Sequence, residues 1–344
     1  MAKEEAVTEK VEQPDKPGFF TRLKRHDARQ RTVAERTGAH RPFRWKLFRR
    51  AVAIVVVALA LYYPAGMIAV HKIDDDTAFA PTVEPKQSRA VAVMAALLTR
   101  EIETHGWTAN DPFFLPSSQL DNMPNYQLGI VAALSRFTIE MADHIGRTKT
   151  FTNPDADLER ARELLGYAGT VWMFSFKTWS SAPASEQQYL AARDALLAYN
   201  KRLAAGKAVF DRRAPKLQAT LARIATDLGE IAAKLDARVS TASGSIIDTR
   251  SDDVFYSAKG RIYAYYLILR AVGQDFSKVL TEKQLDKAWP QMLDSLKRAA
   301  EIRPLIVRNG APHSVLQPNH LTSQGFYLLR ARSQLLEIAG ILLK

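Results

Sequence analysis

An uninterrupted apolar segment constrains this chain of 344 residues more than any other feature. Residues 51–70, AVAIVVVALALYYPAGMIAV, contain no charged side chain. Twenty residues that rise about 1.5 Å each form a helix about 30 Å long, which matches the hydrocarbon core of a bilayer. The sequence therefore predicts one transmembrane helix at residues 51–70. A dense basic run precedes it: Arg41, Arg44, Lys46, Arg49 and Arg50.

The flanks of this segment predict its orientation, because Lys and Arg are retained on the cytoplasmic side of a membrane. Residues 1–50 hold 14 Lys and Arg against 7 Asp and Glu, whereas the other flank is much less basic. Trp45 stands where an inner interfacial ring is expected, and Tyr62 and Tyr63 stand toward the outer end. We therefore expect the N-terminus to lie on the cytoplasmic side of the membrane. A cleaved signal peptide is the alternative, but its apolar region is shorter, about 7 to 15 residues, and its charged leader far briefer.

The net charge of +12 suggests a nucleic-acid partner until it is divided along the chain. Residues 1–50 carry +7 of it, so much of the excess serves membrane topology. Each Lys or Arg near anionic lipid contributes about 1 kcal/mol, which makes anionic lipid a possible partner of the tail. The phenylalanines Phe19 and Phe20 could lay an amphipathic segment on the inner leaflet, and a disordered tail is the alternative. No nucleic-acid partner is favoured.

The region beyond the apolar segment divides into a linker at residues 71–87, with Pro81 and Pro85, and a domain at residues 88–344. Its periodicity is helical. Apolar residues recur at steps of three and four after Pro124, which places them on one helix face; they are Ile130, Leu134, Phe137, Met141 and Ile145. The sequence predicts an all-α bundle with further helices at 88–105, 156–175, 185–212, 213–239, 252–274, 281–303 and 320–343.

The most regular spacing alternates steps of four and three over Leu217, Leu221, Ile224, Leu228, Ile231 and Leu235. This is a heptad pattern whose flanking positions carry little charge to specify a partner helix. Fewer than four heptads are sustained, so the pattern favours a helix buried in an intramolecular bundle over an autonomous coiled coil. The chain has no cysteine, so the bundle must be held by its core alone.

Signatures of metal and cofactor chemistry are missing from the sequence. The seven histidines form no HExxH pair. Glu140 and His144 lie one helical turn apart, but charges on a solvated helix face explain this spacing, and we predict no metal site. The loop Ser243, Gly244, Ser245 lacks the second glycine and the preceding strand of a nucleophile elbow. No Gly-rich phosphate loop is present, so we predict no cofactor.

Two stretches stand apart from the rest: LDNMPNYQLGIV at residues 120–131 and DDVFYSAKGRIYAYYLILRAVGQDF at residues 252–276. Together with LPSS at residues 115–118 and the pair Asn319 and His320, they resemble the bacterial family known as domain of unknown function 2333. The resemblance runs from about Tyr63 to the C-terminus. It implies a single-span envelope protein with a helical exported domain, and it implies no particular reaction.

Candidate binding residues come from these stretches: Asp121, Asn122, Asn125, Asp252, Asp253, Tyr256 and His320. Acidic residues at a predicted helix start have an ordinary role as caps, and we expect this role for Asp252 and Asp253. Four aromatic and cationic residues fall toward other faces of their helix, where they could meet a glycan or peptide: Tyr256, Lys259, Tyr263 and Arg270. Packing of their side-chain stems against the domain, with only the tips exposed, explains these positions equally well. Catalytic residues are not identified.

The sequence as a whole favours a noncatalytic protein of the bacterial inner membrane, with a periplasmic domain that binds an envelope protein or cell-wall partner. The alternative is a hydrolase or lyase that acts on cell-wall material through paired carboxylates. Glycosidases need two such groups about 5 to 9.5 Å apart in a cleft. The candidates for that pair are Asp121, Glu140, Asp252 and Asp253.

Overall fold

The computed structural model describes residues 42–147, 153–176, 178–241, 249–310 and 318–344. The chain divides into two units, Met1–Tyr62 and Tyr63–Lys344. Most of the predicted basic tail, including Phe19 and Phe20, lies outside the described residues, as does the serine-rich loop around Gly244.

The apolar segment belongs to helix α1, Pro42–Val70. The helix begins nine residues before the predicted span, so Arg44, Lys46, Arg49 and Arg50 of the basic run belong to the same helix. Pro64 lies inside it near the outer end. Within the described ranges, one helix is long and apolar enough to cross a membrane, and it is this one. Its apolar side chains, such as Ile54 and Leu61, are exposed.

The rest of the described chain is mainly helical and has almost no sheet, which confirms the all-α prediction. The helices are α2 Arg89–Thr99, α3 Asn122–Glu140, α4 Ala156–Leu165, α5 Ser185–Ala204, α6 Ala214–Ser240, α7 Thr249–Asp275, α8 Ser277–Glu282, α9 Ala288–Ala300 and α10 His320–Leu342. Single π-helical turns extend α2 over Arg100–Thr104 and α3 over Met141–Ile145. One short antiparallel hairpin joins β1, Phe174–Ser175, to β2, Ser180–Ser181.

Three predicted helices are shorter than expected. The helix predicted at 156–175 ends at Leu165, and a loop leads from there into β1 at Phe174. The helix predicted at 185–212 ends at Ala204, where Gly206 adopts a φ of 71°. The helix predicted at 281–303 is broken between α8 and α9, where Gln284 adopts a φ of 56°. A left-handed residue cannot continue a right-handed helix, which explains the last two breaks.

Helix α7 is the centre of the bundle and packs against α2, α3, α6, α9 and α10. Residues on every side of it are buried, including the run from Tyr263 to Leu269. A helix that is buried all round is the core helix of a domain. Its packing on α3 is very close, because a Cβ atom added to Gly260 would lie 2.0 Å from the carbonyl oxygen of Tyr126.

Both predicted apolar stripes are confirmed. The residues from Ile130 to Ile145 that recur on one face of α3 are fully buried. The six heptad residues of α6 from Leu217 to Leu235 are at most 3% exposed, and α6 packs against α10 of the same chain. The pattern therefore belongs to an intramolecular bundle helix, as predicted.

Candidate functional site

The packing of α3 on α7 brings together the two stretches that the sequence singled out. Asp121 caps α3, because its side chain accepts a hydrogen bond from the Asn122 backbone N–H at 2.9 Å. One turn later, the Asn125 amide donates a hydrogen bond of 2.8 Å to the Asp253 carboxylate on α7. Residues 128 positions apart in sequence thus form one polar cluster.

The predicted capping role of Asp252 and Asp253 is wrong, because α7 begins at Thr249 rather than at residue 252. Asp252 lies in the first turn, where its negative charge suits the positive end of the helix dipole. Asp253 lies farther in and binds Asn125 of another helix. The two residues therefore differ: Asp252 interacts with the helix dipole, whereas Asp253 makes a contact between two helices.

Ionisation of Asp253 and of Tyr256 is disfavoured by their surroundings. Burial raises the pKa of Asp253, and the negative charge of Asp121 raises it further, while the Asn125 hydrogen bond opposes both. Burial likewise raises the pKa of Tyr256 to about 12, assisted by Asp252 and Asp121. Asp121, Asp252, Asp253 and Tyr256 are therefore close enough to influence one another electrostatically.

Asp253 also lines a cavity of about 400 Å³ between α3, α6 and α7. Its walls are partly apolar, from Leu128, Ile231 and Val254, and Lys234 and Arg261 contribute cationic groups. A cavity that combines apolar walls with a few charged groups is the usual form of a small-ligand site. This one could hold a ligand with an anionic group near the cations and a hydrogen-bond donor near Asp253.

Glu140, which the sequence offered as a candidate for the carboxylate pair, lies far from this cluster. It ends α3 and lies nineteen residue steps after Asp121, a distance of about 28 Å along the helix. Glu140 is buried, not on a solvated face as predicted, and burial raises its pKa. His144 lies 3.7 Å from it. Among the described residues, no group of three or more His, Asp or Glu could hold a metal ion.

His320 is also separate from the acidic cluster in its described contacts. It begins α10, and its Nδ1 atom accepts a hydrogen bond of 2.9 Å from the Arg308 backbone N–H. Its neighbour Asn319 caps α10 and binds Asn309, which reaches Ser251 near the start of α7. His320 therefore helps to close the C-terminal helix onto the bundle.

The sequence interpretation missed a buried ion cluster around Asp75, which follows α1 by five residues. Lys259 Nζ lies 2.6 Å from Asp75, and Arg303 lies 2.5 Å from the same carboxylate. Lys259 also donates to the carbonyl oxygens of Ala300 and Ile302. Burial opposes ionisation of Asp75, but the hydrogen bonds from Arg303 and Lys259 hold its pKa below the usual value.

The backbone on both sides of Asp75 is held as well. The Asp74 carbonyl oxygen accepts hydrogen bonds from Arg100 and Tyr126, and the Asp76 carbonyl oxygen accepts one from Tyr263. Arg270 donates hydrogen bonds to the carbonyl oxygens of Thr77 and Phe79. The segment predicted as a linker is thus packed against the domain over these residues. Lys259 and Tyr263 are buried, so their predicted exposed tips are wrong.

A surface of different character runs along α10. Six exposed residues follow alternating steps of three and four, and we call them the α10 seam: Phe326, Leu329, Ser333, Leu336, Gly340 and Leu343. Leu329 and Leu336 are 49% and 43% exposed. Charged residues flank the seam at a seven-residue interval, namely Arg330, Glu337 and Lys344. Beside it, α6 and α10 border a groove of about 590 Å³ that includes Leu329, Ala232 and Ala233.

Comparison with protein families decides the relationship of this chain. A family model described as an uncharacterized protein conserved in bacteria (DUF2333) matches residues 52–250 and 246–344. The chain belongs to this family. The match begins at residue 52 rather than near Tyr63, so DUF2333 includes nearly all of the apolar segment, and the whole basic tail precedes the match. No curated protein and no solved structure matches the chain.

Proposed function

We propose that this DUF2333 protein is a noncatalytic component of the bacterial envelope that recruits a partner protein. In this proposal α1 crosses the inner membrane once, the basic tail lies in the cytoplasm against anionic lipid, and the helical domain is periplasmic. The length and composition of α1 and the asymmetry of its basic flanks support the anchor and its direction.

The single observation that carries the recruiting role is the α10 seam. Apolar residues at heptad spacing with charged flanks are typical of a surface that packs against another helix. The described part of this chain does not cover the seam, since Phe326, Leu329 and Leu336 remain exposed. The groove between α6 and α10 offers small residues beside it, as in sites that accept one apolar helix face. The partner we propose is an amphipathic helix of another envelope protein.

In-cell photocrosslinking of the full chain tests this role. A photoreactive residue replaces Leu336 on the seam or, as a matched control, Leu197 on α5, which is 47% exposed. We expect one defined adduct from position 336 that is lost when Leu329→Ser is added, and none from position 197. An adduct with a second copy of the chain would replace the recruiting role with self-association. Equal adducts from both positions would contradict a specific seam.

A second candidate function rests on the pair Asp121 and Asp253. Asp253 lines a cavity and its pKa is raised by burial and by a neighbouring carboxylate, and both properties are common among catalytic acids. We propose a carboxylate-based hydrolase or lyase of cell-wall material as the alternative. Its test is complementation of a deletion strain by Asp253→Asn. A variant that is folded and abundant but inactive would favour chemistry, whereas full activity would favour the noncatalytic role.

A further inference from the structure

Six aromatic rings on two loops form one connected cluster at the surface of the domain: Phe113, Phe114, Trp172, Phe174, Phe176 and Trp179. The loop before α3 provides the first two rings, and the β1–β2 hairpin with its approach provides the others. Contacts across the two loops include Phe113 to Phe176, with ring centroids 6.2 Å apart, and Phe114 to Trp172 at 5.8 Å. The rings therefore stabilise one another's positions as a single aromatic cluster.

The aromatic cluster faces outward despite its hydrophobicity. Trp179 is 78% exposed and Phe113 is 71% exposed, and Met173 beside them is exposed as well. Trp179 also adopts a φ of 50°, which is unfavourable for a bulky side chain. Contiguous exposed apolar surface and local backbone strain are both typical of sites that interact with something outside the domain.

Contacts with the end of α1 show where the aromatic cluster lies within its unit. The Tyr63 hydroxyl donates a hydrogen bond of 3.1 Å to the Phe113 carbonyl oxygen. One turn later, Gly66 lies so close to the same loop that an added Cβ atom would be 2.3 Å from the Pro116 ring. The last turns of the apolar helix therefore pack directly on the loop that carries Phe113 and Phe114. If α1 spans the membrane, this loop lies where the span emerges.

The chemistry of the aromatic cluster fits the lipid interface. Trp and Tyr are enriched at the boundary between headgroups and acyl chains, where one end of the ring system is apolar and the other is wet. The sequence from residue 171 to residue 184 contains no acidic side chain and one lysine, Lys177. Serine and threonine hydroxyl groups, including Thr178 and Ser180, accompany the rings. Large rings with few charges suit the headgroup boundary, where apolar and wet surroundings meet.

We propose that the aromatic cluster inserts into the lipid interface of the leaflet from which α1 emerges. The domain would then rest on the bilayer at a second point, beside its covalent anchor. The ligand is the membrane surface itself, at the level of the glycerol groups. This inference rests on the proposed membrane anchor, because Tyr63 locates the aromatic cluster by reference to the end of the span.

Fluorescence quenching of the full-length protein in lipid vesicles tests the inference. The chain has no cysteine, so single cysteines carry an environment-sensitive label without further changes. The test site is Thr178→Cys, beside Trp179 but outside the six rings. Val56→Cys reports on the span, and Lys278→Cys, at a side chain 89% exposed, reports on water. Vesicles contain phospholipids with a nitroxide either near the glycerol or near the end of an acyl chain.

We expect the label at residue 178 to lose most fluorescence with the nitroxide near the glycerol and less with the deep nitroxide. The label at residue 56 should show the reverse, and the label at residue 278 should respond to neither. Adding Phe113→Ser and Trp179→Ser should abolish quenching at residue 178 without changing residue 56. Because both leaflets carry the quencher, the result does not depend on the orientation of insertion.

The outcomes separate the two proposals. Quenching at residue 56 without quenching at residue 178 would overturn the lipid contact and leave the anchor standing. A blue-shifted but unquenched label at residue 178 would likewise overturn it, since a protein surface would then cover the aromatic cluster. Loss of quenching at residue 56 would overturn the anchor, and the lipid contact would fall with it.

Discussion

At the scale of single residues, the buried carboxylate of Asp75 governs how the chain leaves α1 and enters the domain. It is paired with Lys259, which is as deeply buried, and with Arg303, which is exposed. Removing one member of a buried ion pair leaves the other charge uncompensated, at a cost of about 3 to 5 kcal/mol. A buried ion pair is not itself strongly stabilising. Stability is therefore lost when one charge of the pair is removed, more than when both charges are replaced by apolar residues.

Asp75→Asn should therefore lower the free energy of unfolding by about 3 to 5 kcal/mol, because Lys259 would lose its counter-ion. Urea unfolding of the purified full-length protein in detergent micelles measures this. Asp294→Asn is the matched control, since the Asp294 and Arg298 pair is more than half exposed and solvent screens its attraction, so its loss should change stability far less. Equal effects of the two substitutions would contradict a buried pair at Asp75.

The ion pair of Asp75 and Lys259 also predicts how stability depends on pH. The pKa of Asp75 is lower in the folded protein than in the unfolded chain, so its contribution is fully present above the unfolded value. That contribution is lost as the pH falls through the folded value. Part of the acid destabilisation of the parent should be missing in Asp75→Asn, which unfolding curves at a series of acidic pH values would detect.

The contribution of Asp253 to stability depends on pH in the opposite direction from that of Asp75. The pKa of Asp253 is raised by burial and by Asp121, so the folded protein disfavours the charged form and loses stability as the pH rises through this range. Asp253→Asn retains an acceptor for Asn125 and removes the repulsion. We expect the free energy of unfolding at neutral pH to stay the same or rise by about 0.5 kcal/mol, since solvent screens much of the repulsion. A loss of more than about 1 kcal/mol would show that the carboxylate is needed structurally.

At the scale of helices, the contact between α3 and α7 depends on two glycines. A Cβ atom on Gly129 would lie 2.3 Å from the Ser257 carbonyl oxygen, and one on Gly260 would lie 2.0 Å from that of Tyr126. Both obstacles are backbone atoms, so they cannot move aside as a flexible side chain would. The close approach also brings Asn125 to Asp253 and shapes the cavity beside them.

Gly260→Ala should therefore destabilise the protein by about 1 to 3 kcal/mol, the usual range for overpacking. Gly325 on α10 is the matched control, because nothing lies within 4 Å of an added Cβ atom there. Gly325→Ala should raise the free energy of unfolding by about 0.5 to 1 kcal/mol, since alanine loses less backbone entropy in a helix. Thermal unfolding followed by circular dichroism compares the two, and equal effects would argue against the close crossing.

The heptad residues of α6 give a second test at this scale. Leu228 is fully buried, so Leu228→Ala should lower the free energy of unfolding by about 2 to 5 kcal/mol through lost transfer energy and the cavity left behind. Leu197→Ala, at an exposed position, should change it by less than about 0.5 kcal/mol. A change in oligomer size without lost stability would instead indicate that α6 packs between chains.

The helices themselves could be predicted from the sequence, because burial on one face imposes the spacing seen from Ile130 to Ile145 and from Leu217 to Leu235. The hairpin at Phe174–Ser181 and the break at Gln284 could not, since left-handed residues and local turns leave no periodic trace. The stretches that meet at Asp253 were identified, but their contact depends on Gly129 and Gly260. The ion cluster was missed because Asp75 and Lys259 are distant in sequence and Lys259 resembles an exposed lysine.

At the scale of the whole molecule, the described chain consists of one apolar helix followed by one helical domain. The matched region of DUF2333 includes most of that helix as well as the domain, so the two belong to the family together. Recruitment of an envelope protein through the α10 seam requires the domain to stand outside the cytoplasm, whereas contact of the aromatic cluster with lipid requires only that α1 crosses the membrane. The central claim is therefore the topology of the chain.

Labelling of single cysteines in intact cells tests that topology most directly, because the chain has no cysteine of its own. A maleimide that reaches the periplasm but does not cross the inner membrane is applied to Lys278→Cys in the domain and to Ala28→Cys in the tail. The account predicts labelling of residue 278 in intact cells and of residue 28 only after lysis. Labelling of residue 28 with protection of residue 278 would contradict it.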